Sequence, residues 1–259
     1  MARSAGTVVL AGPNTAADLV PVLDRLADYG AQLALVDGAI NRIMPMSATD
    51  GLILATGAAR NPDIARLAEE TRAIARLFTL PECEAPIATP DGITLVSDGA
   101  IRATLPASSI LTVPAAQSLA ESTRRLVSNG ASLIIPGQAS AAAIETLATA
   151  LPGVNIVVTD PLKLLLAGEP AQTLGALEAI AGNGGRAAVL HTLPLLAITV
   201  NPFYPRFRHQ RGDYEPAYVD ADKLWSAIHN AVEVPVVDVM RHGAANLLQW
   251  ATHHCAHRI

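Results

Sequence analysis

The chain has 259 residues, of which 51% are hydrophobic and 16% charged, with a formal net charge of −5. This composition is too apolar for a disordered protein, and no apolar run reaches the ~18 residues of a membrane span. The negative charge and the lack of a Lys/Arg cluster exclude a typical nucleic-acid surface. Two cysteines cannot form a disulfide framework, and the N-terminus lacks a signal-peptide pattern, so we expect a cytoplasmic protein.

The first part of the chain alternates short apolar runs with segments of helical periodicity. The runs at residues 7–10, 33–36 and 52–55 predict buried strands, and residues 19–26 and 64–78 predict helices. Alternation of strand, turn and helix predicts a parallel sheet covered by helices on both faces. We therefore expect a three-layer, mostly parallel α/β fold.

The pattern changes around residues 85–105, where alternating stretches among Pro and Gly predict a small β-hairpin insertion. The α/β order then resumes. Helices are predicted at residues 116–128, 139–150, 162–166, 173–180 and 222–232, strands at 133–135, 156–158, 197–200 and 234–239, and an irregular charged segment at 202–216. The prolines at 202, 205 and 216 are expected to lie outside regular elements. The sequence predicts one α/β domain over residues 1–240, or two sub-lobes at 1–115 and 116–240, followed by a polar tail at 241–259.

Ligands of open parallel sheets bind outside the carboxyl ends of the strands, so residues that follow predicted strands are the candidate site. The predicted ligand- or partner-binding edge consists of Asp37, Gly38, Asn41, Arg42, Thr56, Gly57, Asp160, Lys163, Asn201, Pro202 and Tyr204. Asp37 follows four apolar residues, as the Mg²⁺-holding Asp of a Walker B strand does. The alternative is that Asp37 only caps the next turn and that Arg42 is a solvated surface residue.

The sequence lacks the loops that hold phosphate or activate a serine. No G-x-x-x-x-G-K-[ST] stretch occurs, and no G-x-S-x-G elbow is present. Residues 182–187 fit a loose dinucleotide pattern, but they join a predicted helix to a strand, the reverse of what pyrophosphate binding needs. We therefore assign no catalytic residue and no cofactor to this chain.

Two further groups of residues have competing interpretations. The tail carries metal-donor side chains at His253, His254, Cys255 and His257, but adjacent donors near a terminus favour a solvated segment, and we assign no metal. His191 follows an apolar run and is interpreted as a hydrogen-bonded core histidine. The aromatic residues clustered within 202–216 indicate a contact surface, and a plain packed loop is the alternative.

Five motifs in order along the chain resemble a known family. They are LAGP at 10–13, VDGAINR at 36–42, LATGA at 54–58, VNPFYP at 200–205 and VPVVDV at 234–239. In this combination they resemble the reactivase subunit associated with lysine 5,6-aminomutase. The resemblance spans residues 6–239.

The resemblance implies an accessory, chaperone-like role rather than catalysis. Together with a MutS-related ATPase, such a subunit restores an aminomutase that depends on adenosylcobalamin and pyridoxal phosphate after its cobalamin is damaged. Family members carry a P-loop region before the AGP motif, and this chain lacks one, so ATP and Mg²⁺ would require a separate P-loop partner. Asp37, Asn41 and Arg42 are expected to shape a switch or docking edge, and the aromatic segment to touch a partner.

The main alternative is a small-molecule-binding α/β enzyme. Its site would use Asp37, Thr56, Asp160 and Asn201, with Lys163 or Arg42 holding an anionic substrate. Because no nucleophile–base pair is visible, we expect no independent catalytic activity and favour the accessory role. A structural scaffold and a homo-oligomer both remain open at this point.

Overall fold

The computed structural model of the chain describes residues 12–37, 44–83 and 88–255. It divides the chain into two compact units, residues 1–50 and residues 51–259. Every helix within the described ranges is too short or too polar to cross a lipid bilayer.

The first unit contains helix α1 (Ala16–Asp28) and a short 3-10 helix (Met44–Ala48). Thr15 caps α1, because its Oγ1 accepts from the Asp18 N–H at 3.1 Å and donates to the Asp18 carboxylate at 2.6 Å. Gly30 follows the helix with a φ of +86°, a left-handed conformation that suits glycine. The predicted helix at 19–26 is thus confirmed.

The predicted strand at residues 33–36 is wrong, whereas the one at 7–10 lies outside the described residues. Residues 33–36 form no ladder with any described strand, and Leu35 is 72% exposed. An apolar run becomes a strand only where a neighbouring strand satisfies its backbone groups.

The second unit contains ten strands, eight α-helices and a 3-10 helix (Arg124–Leu126) within its described residues. The strands are β1 (Leu52–Gly57), β2 (Ile93–Ser97), β3 (Ala100–Leu105), β4 (Ser132–Ile135), β5 (Asn155–Val158), β6 (Ala187–Val189), β7 (Leu195–Asn201), β8 (Phe203–Arg208), β9 (Asp213–Tyr218) and β10 (Val236–Val237). The helices are α2 (Ile64–Leu77), α3 (Val113–Thr123), α4 (Ala141–Ala150), α5 (Leu162–Leu165), α6 (Pro170–Gly182), α7 (Ala221–Ala231), α8 (Val239–His242) and α9 (Ala245–Cys255).

The strands form two sheets and a separate two-stranded ribbon. The first sheet is parallel, in the order β1-β7-β10, and the second is mixed, in the order β3-β2-β4-β5-β6. Strands β4, β5 and β6 pair in parallel, and β2 joins them antiparallel. The predicted α/β class with helices around the sheets is confirmed.

The predicted hairpin insertion is the β2–β3 pair at the edge of the second sheet. Asp98 and Gly99 connect the strands, and both have positive φ, at 53° and 72°. Asp-Gly at these positions is typical of the two-residue turns that match the twist of a hairpin.

The core lies between the sheets and their helices. Leu133, Ile134 and Ile135 of β4 are fully buried, as expected for a central strand covered on both faces. Helix α4 packs against α3 and α6, and α2 packs against α6 and α7. Most predicted helices and strands of this unit are therefore confirmed, with ends shifted by a few residues.

Three segments differ from their predicted state. Residues 202–216 were expected to be irregular, but they contain the β8–β9 ribbon, with Pro205 and Pro216 facing each other across it. The predicted polar tail contains helix α9, which contacts β7. The predicted strand at 234–239 shortens to β10, because Asp238 caps the short helix α8 with its side chain.

Helix α2 offers a test of helix capping. The Oδ1 atom of Asp63 accepts from the N–H groups of Ala65 and Arg66 at 3.1 and 3.2 Å. We expect Asp63→Ala to lower the free energy of unfolding by about 1 kcal/mol, because these N–H groups lose their acceptor. Chemical denaturation of the full chain measures the change, and Glu69→Ala on an exposed position of the same helix is the control. Equal stability of the two variants would contradict the capping role.

Candidate functional site

Thr56, Gly57 and Asn201 meet at the carboxyl ends of two paired strands. In the parallel register of β1 and β7, Thr56 pairs with Val200 and Gly57 with Asn201. The Ala58 N–H donates to the Asn201 carbonyl oxygen at 2.9 Å. A Cβ atom on Gly57 would lie 2.3 Å from that oxygen, so only glycine permits this approach.

Asn201 also starts the β8–β9 ribbon. Its Oδ1 accepts from the Phe203 N–H at 3.0 Å, which turns the chain across Pro202. The Pro202 carbonyl oxygen accepts from the Val219 N–H at 3.0 Å and closes the base of the ribbon. Tyr204 is half-buried on β8, opposite Ala217. Three predicted site residues, Asn201, Pro202 and Tyr204, thus lie together where the ribbon leaves the sheet.

Asp238 is a residue of this edge that the site prediction missed. It follows β10, the third strand of the same sheet, and is 1% exposed. Its Oδ1 accepts from the Met240 and Arg241 N–H groups at 3.1 and 3.2 Å. The sequence does contain a signal for it, since an acid follows the apolar run at 234–237 and falls within a motif of the resemblance.

Asp160 and Lys163 lie in the second sheet, at the carboxyl end of β5. Asp160 is 4% exposed, and its Oδ1 accepts from the Leu162 N–H at 3.0 Å. Lys163 Nζ lies 3.9 Å from Asp160 Oδ2, and the two side chains are 12% and 5% exposed. Burial raises the pKa of Asp160 above its usual range, and the Lys163 ammonium opposes this shift.

His191 joins this second group, although it was interpreted as a core histidine. That interpretation is wrong, because the side chain is exposed just beyond β6, where the apolar run ends. Its Nε2 lies 3.3 Å from Thr89 Oγ1, and its charge acts to lower the pKa of Asp160. Thr89 also lines a surface groove of about 530 Å³ beside β2 and β3. An acid, an amine and an imidazole therefore gather at the β5–β6 edge.

The remaining predicted residues lie in the first unit. Asp37 is exposed and follows residues 33–36, which are not a strand, so the arrangement expected of a Walker B carboxylate is not present. The described residues do not include Gly38, Asn41 and Arg42. They also exclude His257 of the tail, and the side chains of His253, His254 and Cys255 are not described. Within the described part of the chain, no group of three or more His, Cys, Asp or Glu side chains is placed to hold a metal ion.

The raised pKa of Asp160 predicts how stability depends on pH. Because the folded pKa lies above the ordinary 3.8, the favourable contribution is complete below that value and is lost as the pH rises through the folded pKa. Asp160→Asn removes this titration but keeps an acceptor for Leu162. We expect the stability of the wild type relative to this variant to fall as the pH rises from about 4 through the folded pKa of Asp160.

Urea denaturation at a series of pH values from about 4 upward measures the difference, with Glu121→Gln on an exposed position of α3 as the control. A relative stability that rises with pH would mean that attraction to Lys163 outweighs the burial of the carboxylate.

The structure thus separates the predicted residues into two groups in the second unit. Thr56, Gly57, Asn201, Pro202 and Tyr204 belong to the parallel sheet and the base of the ribbon. Asp160 and Lys163 belong to the mixed sheet. In comparisons of this chain with protein-family models, curated proteins and solved structures, nothing matches.

Proposed function

We propose that this chain is an accessory, partner-binding subunit in the reactivation of an adenosylcobalamin-dependent aminomutase, acting with a MutS-related ATPase. The observation that carries the proposal is the junction between two motifs of the resemblance. Residues 54–58 include the end of β1 and residues 200–205 include the end of β7. Thr56 pairs with Val200 and Gly57 with Asn201, although the two motifs are far apart in the sequence.

The side chains at this junction support a binding role rather than a reaction. Gly57 provides space for the Asn201 carbonyl, and Asn201 Oδ1 holds the Phe203 N–H. Both residues therefore stabilise the point at which the β8–β9 ribbon leaves the sheet. Motifs that position an exposed aromatic ribbon suit a subunit that acts by binding other proteins, because reactivation requires differential affinity for damaged and intact enzyme.

A second candidate is a small-molecule site at the β5–β6 edge. Asp160, Lys163 and His191 gather there, close to the groove that Thr89 lines. A partly buried ammonium and an imidazole suit an anionic ligand. This candidate predicts that the isolated chain binds a metabolite, whereas the reactivation role requires the partner proteins.

The test is a reactivation assay with purified components. The aminomutase, loaded with hydroxocobalamin, is incubated with this chain, the MutS-related ATPase, Mg·ATP and fresh adenosylcobalamin. We expect aminomutase activity to return only when this chain is present. Equal recovery without the chain would overturn the proposal.

A variant of the junction sharpens the assay. Asn201→Ala removes the acceptor of the Phe203 N–H and should slow recovery several-fold, whereas Asn201→Asp keeps that acceptor and should retain most of it. Met240→Ala, at a position that is 88% exposed, is the control. Thermal melting curves of each variant show whether slower recovery comes from a changed ribbon in a folded chain or from unfolding of the chain.

A further inference from the structure

The β8–β9 ribbon has two chemically different faces. In its antiparallel register, side chains of alternate residues point to opposite sides. The aromatic–proline face consists of Phe203, Pro205, Phe207, Tyr214, Pro216 and Tyr218. Two pairs of aromatic rings pack across the strands of this face. The ring centroids are 5.6 Å apart for Phe203 and Tyr218 and 5.1 Å apart for Phe207 and Tyr214.

The charged side chains on the opposite face form ion pairs with each other. Arg206 Nε donates to Glu215 at 2.8 Å, and Arg208 Nε donates to Asp213 at 2.7 Å. Arg208 also lies 3.6 Å from Glu215. Both carboxylates of the ribbon are therefore engaged on this side, and the aromatic–proline face has none.

The aromatic–proline face is exposed along its whole length. All six members are exposed, and Tyr214 and Tyr218 reach 66% and 68%. The two strands contact each other far more than they contact any other element, so the ribbon projects from the sheet. Tyrosine and phenylalanine concentrated on one exposed face are typical of protein-binding surfaces.

The prolines make the edges of the ribbon unsuitable for pairing with another strand. Because proline has no N–H, Pro205 and Pro216 can only form a non-hydrogen-bonded pair, in which backbone groups point outward. Each outer edge of the ribbon thus lacks a donor at its middle. Strand addition from another chain is disfavoured at both edges.

The positive charge of Arg211 at the tip of the ribbon indicates which side chains a partner surface should carry. The His209 ring packs against Phe207 with centroids 5.0 Å apart, at the tip end of the aromatic–proline face. Arg211 is exposed in the tip and forms no ion pair with the described part of the chain. A complementary surface therefore carries carboxylates next to the tip, since a second copy of the same face would supply only more cations.

We propose that the aromatic–proline face docks into an apolar recess of a partner protein whose carboxylates meet Arg211 at the ribbon tip. The identity of that partner as aminomutase or ATPase rests on the proposed function, whereas its surface chemistry rests on the ribbon alone.

The experiment is site-specific photo-crosslinking in the source organism with the full chain. p-Benzoylphenylalanine replaces Tyr214 on the face, or Leu126 as an exposed control far from the ribbon in sequence. Mass spectrometry then identifies the crosslinked protein and peptide. We expect one partner at position 214, captured through a peptide rich in apolar side chains with Asp or Glu beside them.

A charge variant tests the tip contact. Arg211→Glu on the crosslinking chain should lower the yield at position 214 about fivefold to tenfold, whereas Arg211→Lys should retain most of it. The captured partner is then purified, and its Kd is measured for the wild type, Tyr214→Ala and Arg211→Glu. Weaker binding of both variants supports the docking surface.

Three results would overturn the inference: no crosslink above the position-126 control, crosslinks only to a second copy of this chain, or a yield that Arg211→Glu leaves unchanged. The two proposals fail separately. Capture of a protein other than the aminomutase or the ATPase, with the expected recess and charge dependence, supports the docking surface but counts against the proposed function.

Discussion

Gly57→Ala is expected to lower the free energy of unfolding by about 2–3 kcal/mol, because the added methyl group overpacks the junction of β1 and β7. The new Cβ would lie 2.3 Å from the Asn201 carbonyl oxygen and 3.0 Å from the Asn201 Cβ. The obstructing atom is backbone oxygen, which cannot turn away as a flexible side chain can. The same oxygen accepts from the Ala58 N–H, so separating the strands also weakens that hydrogen bond.

The matched control is Gly175→Ala in helix α6. A Cβ there meets no atom within 4 Å, and alanine is the better helix former, so we expect a gain of about 0.5–1 kcal/mol. Chemical denaturation of both variants measures the two effects. A neutral Gly57→Ala would show that β1 and β7 separate easily at their carboxyl ends, and the junction would then not aim the ribbon.

The strands that the sequence predicts well are those buried on both faces. Residues 133–135 form a continuous apolar run because β4 lies between two neighbours and under helices, and such a run identifies a strand without knowledge of its partners. Residues 33–36 have the same local pattern but pair with no described strand. Local apolar character therefore predicts a strand only when the rest of the chain supplies a ladder.

The ribbon shows a different reason for a wrong prediction. Prolines at 205 and 216 indicated irregular structure, but aromatic or proline side chains alternate with charged ones over residues 205–208 and 213–216. That period of two was a strand signal. Two prolines are compatible with a hairpin only if they face each other at a non-hydrogen-bonded position, and this register is a tertiary property.

The sequence predicts which residues lie at strand ends, but it does not predict which of these residues lie next to each other. Polar residues after Leu54, Val158 and Val200 do lie at the carboxyl ends of strands, as expected for parallel sheets. The order of strands decides which of them meet, and that order depends on long-range packing. Because β1 pairs with β7, Gly57 meets Asn201, whereas Asp160 falls in the other sheet.

Leu247→Ala is expected to lower the free energy of unfolding by about 2–3 kcal/mol, although it lies in a segment whose sequence indicates a polar tail. Leu247 is 8% exposed and packs with Ala197 of β7 and Val237 of β10, and Val239 and Trp250 cover the cluster. The truncation leaves a cavity against the parallel sheet. Urea denaturation of the full chain measures the loss, and limited proteolysis after residue 242 reports whether α9 detaches.

Met240→Ala, in the preceding short helix α8, is the control, because Met240 is 88% exposed and its truncation should change stability by less than about 0.5 kcal/mol. If Leu247→Ala were equally neutral, α9 would not be docked on β7. If the predicted loss is found, the parallel sheet that positions Gly57 and Asn201 depends on the C-terminal helix. A shortened chain without α9 would then be a poor reagent for any binding assay of the ribbon.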